Sequence, residues 1–191
     1  MIRIVRQGDV PPQPWRNSGG STQELLAWPA TADWVLRISV ASIASNGPFS
    51  AYPGIERWFA VVGGEGVVLR FAARRAMLSA GSEPLRFDGA AAPQCELLDG
   101  PTQDLNLMVR SDAGRGGMAL VAAGEDWLSS AAVRAVYTAE AATLHVDDGK
   151  PIELPAGTLA WSEHAADQRW QLQAGNSAAR AWWLHVKVRA T

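Results

Sequence analysis

The side chains able to do chemistry are few, and their spacing excludes most familiar reactions. Histidine occurs three times, at His145, His164 and His185, with no His-x-His or His-x-x-x-His pair to set two imidazoles on one face. A metal centre would need separate strands to bring them together, so the reading is no metal. Cys95 stands alone, which rules out an internal disulfide and a Cys-x-x-Cys zinc pair. Beside Glu96-Leu97-Leu98 it reads as a small buried apolar group. No serine occupies a Gly-x-Ser-x-Gly elbow. Glu125-Asp126 and Asp147-Asp148 fall in expected turns, and no acid–base pair follows from spacing alone. Gly63-Gly64-Glu65-Gly66 lacks the Lys-Ser/Thr of a phosphate loop, and Asn17-Ser18-Gly19-Gly20-Ser21 lacks dinucleotide-binding spacing. The residues argue against an enzyme and against a cofactor.

Two stretches offer a binding chemistry instead. Residues 46–58 (NGPFSAYPGIERW) form a compact loop with two prolines that feeds a strand, with Arg57 at its start. Pointing inward, Arg57 is a buried cation that needs a partner to offset its desolvation. Two partners remain open: an acid of the chain such as Asp104, or the carboxylate of a ligand, which a guanidinium grips in bidentate fashion. The strand 104–110 alternates, with Leu105, Leu107 and Val109 on one face and Asp104, Asn106, Met108 and Arg110 on the other. Inside a barrel the second face presents an amide, a thioether and charges to a small polar ligand.

The elements that must position these groups are strands. Eighteen glycines and eleven prolines punctuate short apolar runs, the rhythm of a sandwich or barrel. Residues 34–40 alternate, with Trp34, Leu36, Ile38 and Val40 sharing a face. Residues 58–62 and 67–71 flank the glycine turn as a hairpin, and further strands are expected at 22–28, 85–87, 95–98 and 104–110. Residues 111–117 (SDAGRGG) read as a linker. A second set of strands then falls at 119–123, 135–137, 143–146, 158–161, 170–173 and 181–188, with a short helical turn at 129–133. Trp161, Trp170, Trp182 and Trp183 are expected to close the core of that half.

The 191 residues are 48% apolar, enough for a sizeable core, and no run approaches the roughly 20 apolar residues of a membrane helix. Net charge is −2, which argues against nucleic acid as a partner. The N-terminus alternates charged and β-branched residues without the apolar stretch of a signal peptide, so a cytoplasmic location is expected.

As a set, Pro14–Glu24 (PWRNSGGSTQE), Arg37–Ala41 (RISVA), Gly47–Ser50 (GPFS), Pro53–Arg57 (PGIER) and Asp104–Met108 (DLNLM) resemble the HutD/Ves family, in order through roughly the first 110 residues. The second half is similar mainly in length and strand rhythm. One departure is Ser18, where the family pattern runs three glycines. The resemblance implies an all-β double-stranded β-helix (cupin) fold with two β-barrels in one chain, a bicupin. The expected barrels span 1–112 and 118–191, with strands exchanged between them. It also implies a protein that binds a small anionic metabolite, N-formylglutamate being the usual suggestion, in histidine utilisation or a stress response.

Laid on the cupin pattern, Arg57 takes the place of the metal-binding Glu, Phe49, Ser50 and Tyr52 lie where the His-x-His pair is absent, and Thr102 and Asn106 fall on the second motif's His and Asn. A cation of the protein's own thus replaces a metal, which favours the receptor reading of Arg57. The expected ligand-binding residues are Arg57, Asn106, Phe49, Met108 and Ser39, with Trp15, Arg16 and Asn17 as a loop over the mouth or, for Trp15, packed on the second barrel. The alternatives are a metal-dependent cupin isomerase or dioxygenase using the histidines, and an interaction module with a vestigial pocket. A homodimer joined at strand edges is a further expectation.

Overall fold

Four antiparallel sheets account for almost all of the regular structure. The structure, a computed structural model, describes residues 1–122, 124–163, 168–174 and 180–189. In the first half a six-stranded sheet orders Gln13–Pro14, Gly20–Trp28, Leu36–Ile43, Thr102–Arg110, Ile55–Gly63 and Leu85–Asp88 side by side. A four-stranded sheet of Gly47–Pro48, Gln94–Leu97, Val67–Arg70 and Arg75–Leu78 faces it. Between them lie Ile43, Phe59, Val61, Val67, Leu69, Leu78, Phe87 and Cys95.

The second half repeats this plan. A five-stranded sheet runs Arg3–Arg6, Thr158–Glu163, Val133–Thr138, Ala181–Val188, Gly114–Leu120. The sheet facing it runs Asp126–Trp127, Trp170–Ala174, Ala142–Val146, Ile152–Leu154. Trp170 and Trp183 pack between the two with Leu144, Leu154 and Leu172.

The largest core lies where the six- and five-stranded sheets meet back to back. Leu36, Ile38, Val40, Leu105, Leu107 and Val109 from one side pack against Val133, Ala135, Leu159, Trp161, Trp182, Leu184 and Val186 from the other. Strand alternation is what makes this possible: alternate side chains of Thr102–Arg110 enter this core, and those between them turn into the first barrel. The tryptophans expected to close the second half divide between two clusters, Trp161 and Trp182 in the central core and Trp170 and Trp183 in the barrel.

The N-terminal segment clasps both halves. Arg3–Arg6 pairs with Thr158–Glu163, although some 150 residues separate them. Gln7 then donates to Gln23 at 2.9 Å and accepts from the Tyr137 hydroxyl at 2.8 Å. Trp28 reaches Glu163 at 2.9 Å.

Two local expectations are corrected. Residues 111–117 are not a free linker: a turn at 111–113 leads into the strand Gly114–Leu120. Its glycines serve close packing, since a Cβ on Gly116 would sit 2.7 Å from Val109 Cγ2 and one on Gly117 would collide with the His185 ring. Residues 129–133 form no helical turn. The Ser129 hydroxyl accepts from the Ala131 N–H at 3.2 Å, and the Ala132 N–H donates to the Val186 carbonyl at 3.0 Å, so the segment is drawn onto the sheet before Val133 opens its strand.

Because one continuous core joins the halves, Leu107→Ala is expected to lower the unfolding free energy by about 2–5 kcal/mol. Urea unfolding followed by tryptophan fluorescence and by circular dichroism should show both signals shifting together to the same lower midpoint.

Candidate functional site

Register builds the site. Thr102–Arg110 lies between Leu36–Ile43 and Ile55–Gly63, so cross-strand neighbours form rows over the inner face of the sheet. One row is Arg37, Met108, Arg57 and the next is Ser39, Asn106, Phe59, with Asp104 beyond, between Ala41 and Val61. These rows floor a cavity of about 550 Å³ in the first barrel. The loop before Ile55–Gly63 folds over it, bringing Phe49, Ser50 and Tyr52 to the wall. Trp15, Arg16 and Asn17 stand at the rim.

All eight expected binding residues, Trp15, Arg16, Asn17, Ser39, Phe49, Arg57, Asn106 and Met108, therefore line one cavity. Trp15 settles on the first barrel, not the second: its indole N–H donates to the Thr22 hydroxyl at 2.8 Å, and its ring lies against Gly20. Asn17 accepts from the Gly19 N–H at 3.1 Å and so shapes the loop. Between them Ser18 has a φ of 56°, the left-handed backbone in which glycine is at ease and serine is strained by about 1–2 kcal/mol.

Arg57 is only 5% exposed, yet no carboxylate among the described residues pairs with it directly. The link to Asp104 passes through an amide. Arg57 Nη2 donates to Asn106 Oδ1 at 2.9 Å, and Asn106 Nδ2 donates to Asp104 Oδ2. An amide suits this place because it offers an acceptor to the cation and a donor to the anion. Rings of Phe49, Tyr52 and Phe87 surround the guanidinium carbon at 5.2, 5.7 and 5.1 Å from their centroids. Such faces stabilise a cation without quenching its charge. Arg57 Nε and Asp104 Oδ1 are buried with no hydrogen-bond partner. Arg37, by contrast, is balanced by Glu24 at 2.6 Å.

Burial dominates the titration of both charged groups. It pulls the Arg57 guanidinium below its ordinary value, with Asp104 opposing. It pushes the Asp104 carboxyl up to about 7, against the pull of Arg57 and the hydrogen bond from Asn106. The Cys95 thiol is driven up to about 12 by burial and then by Asp104, leaving it inert.

The histidines do not assemble. His145 is 3.3 Å from Gln173 Oε1, His185 lies against Trp127 with burial lowering its pKa, and His164 falls outside the described residues. Among the described residues no three of His, Cys, Asp and Glu converge as a metal would require. Thr102, aligned with a cupin histidine, is instead bound to Gly66 at 3.2 and 3.3 Å in the hairpin. Two arginines escaped the sequence reading, Arg37 on the cavity and Arg134 in the second barrel, away from it. Arg37 carries the signal of the alternating strand on which Ser39 was noticed. Buried Arg134, between Trp127 and Trp170 with its Nη2 2.6 Å from the Gln168 carbonyl, carries none.

Two barrels joined back to back in one chain, the first with a polar cavity and the second filled by apolar side chains, define a cupin-class protein. The chain belongs to the HutD family, whose model matches residues 7–180. Protein Ves of Citrobacter koseri is 37% identical over 105 residues, 54% of this chain and 55% of that protein, so the match spans little more than half of the relative's length. Among solved structures, a conserved protein of unknown function from Pseudomonas aeruginosa PAO1, PA5104, superposes with a TM-score of 0.87 at 26% identity over the whole of both chains. HutD from Pseudomonas fluorescens SBW25, in a formate condition, superposes at 0.86 and 24% identity, also over both whole chains.

Asp104 generates a pH test. Its folded-state pKa of about 7 lies above the ordinary 3.8, so between these values the folded protein holds more protons than the unfolded chain. Stability from this residue is therefore complete below the lower value and is lost as pH rises, by up to about 1.4 kcal/mol per pH unit. Melting temperatures of the wild type and Asp104→Asn, measured from pH 4 to 8, should diverge in favour of the variant as pH rises.

Proposed function

We propose that this protein is a metal-free receptor for a small carboxylate metabolite, with N-formylglutamate as the model ligand, acting in the cytoplasm as an accessory or regulator of histidine utilisation or of a stress response. The observation that carries the reading is Arg57, a buried guanidinium on a cavity wall whose counter-charge among the described residues, Asp104, is reached through an amide. A ligand carboxylate or formyl oxygen takes the open side of Arg57, and the Asn106 amide fixes the fork that receives it. Phe49 and Met108 supply apolar walls, and Ser39 adds a hydroxyl. The rim of Trp15, Arg16 and Asn17 narrows the mouth. A cavity of about 550 Å³ suits a metabolite of a dozen or so heavy atoms.

A thermal-shift series with N-formylglutamate, glutamate, urocanate, histidine and formate tests this, with EDTA and metal-supplemented controls. A ligand at 100 times its Kd should stabilise the fold by about 2.7 kcal/mol. The response should be selective among the carboxylates, indifferent to EDTA, and lost in Arg57→Ala. A response to metals alone would instead support a metalloenzyme, and an undiminished response in Arg57→Ala would remove Arg57 from the site.

The same controls carry a separate expectation for purified protein: elemental analysis should find iron, manganese and zinc far below one equivalent per chain. Near-stoichiometric metal would overturn the metal-free assignment.

A further inference from the structure

We propose that the cavity takes up its anion together with one proton, which comes to rest on Asp104; the inference rests on the carboxylate-receptor reading above. Without ligand, the chain of Arg57, Asn106 and Asp104 holds one positive and one negative group in a single enclosed network. A ligand carboxylate on Arg57 adds a second negative charge to a space walled by Phe49, Tyr52 and Phe87. Two carboxylates in such surroundings are stabilised by sharing a proton.

The acceptor for that proton is already placed. Asp104 is 1% exposed, lies on the cavity wall, and has Oδ1 without a partner while Oδ2 is held by Asn106. Protonated at Oδ1, it becomes a donor toward a ligand oxygen, and the repulsion turns into a hydrogen bond.

No other group on the packed elements takes this role. From Leu36–Ile43 comes Arg37, already paired with Glu24 of Gly20–Trp28. Ile55–Gly63 contributes Arg57 itself, and Gln94–Leu97 contributes Cys95, whose thiol stays neutral. Tyr52 faces Arg57 from the covering loop, and Arg16 at the rim is exposed to water. The proton comes from solvent: anion, proton and Asp104 carboxylate combine into a complex holding an Asp104 carboxylic acid. With the carboxyl already raised to about 7 by burial, the second carboxylate has to carry it further, above the pH of the titration, for the uptake to be complete.

Calorimetric titration with N-formylglutamate tests the inference, because both ligand carboxylates stay ionised from pH 7 to 8.5. At pH 8, heats measured in HEPES and in Tris should differ as expected for uptake of close to one proton per site. Kd should weaken about tenfold per unit between pH 7.5 and 8.5, and in Asp104→Asn this slope should vanish. Binding with buffer-independent heat and a flat Kd overturns the inference and leaves the receptor intact, as does a slope that survives in Asp104→Asn. Should that variant not fold, the wild-type buffer comparison decides alone. Failure of N-formylglutamate and of every other carboxylate in the series to bind overturns the receptor reading itself, and this inference with it.

Discussion

The period of two along Thr102–Arg110 ties the stability of the molecule to the chemistry of its cavity. Leu105, Leu107 and Val109 enter the core that joins the two large sheets, while Asp104, Asn106 and Met108 floor the first barrel. A slip of one residue would exchange the faces, setting an acid and an amide among leucines and tryptophans. The central apolar core therefore fixes the polar site: the strand has no register that places the polar network without also building the core.

Within that frame the cavity is an electrostatic compromise. A buried guanidinium and a buried carboxylate in direct contact would neutralise each other and close the site to other ions. Asn106 between them keeps the charges coupled but separate, and the aromatic rings lower the cost of holding the cation out of water. The strain accepted at Ser18 and the raised carboxyl of Asp104 are further departures from the most stable arrangement, and both lie at or beside the cavity.

Much of this was legible in the chain. Alternation at 34–40 and 104–110 identified central strands, and the clustering of Trp15, Phe49, Arg57 and Asn106 around one cavity agrees with the motifs that carry the family resemblance. What escaped detection depended on contacts rather than patterns. Gly114, Gly116 and Gly117 look like a linker because composition does not reveal a Val109 side chain waiting 2.7 Å from an added Cβ. The strand Arg3–Arg6 is too short and too charged to announce itself, and it is defined by its partner Thr158–Glu163. Asp104 and Arg57 were recognised as a possible pair. That Asn106 would stand between them follows from cross-strand register, which no single segment contains.

The clasp formed by the first ten residues has a consequence for biosynthesis. Arg3–Arg6 leaves the ribosome well before its partner strand, which is completed only at Glu163, so this segment must wait through the synthesis of both halves between them. Meanwhile the apolar back of the first large sheet, with Leu105 and Leu107 at its centre, has no second sheet to cover it. A nascent chain arrested between the halves therefore displays a broad adhesive surface, of the kind that recruits chaperones or aggregates. In the finished fold Ala181–Val188 lies between Val133–Thr138 and Gly114–Leu120, so the five-stranded sheet is complete only once this strand has been made.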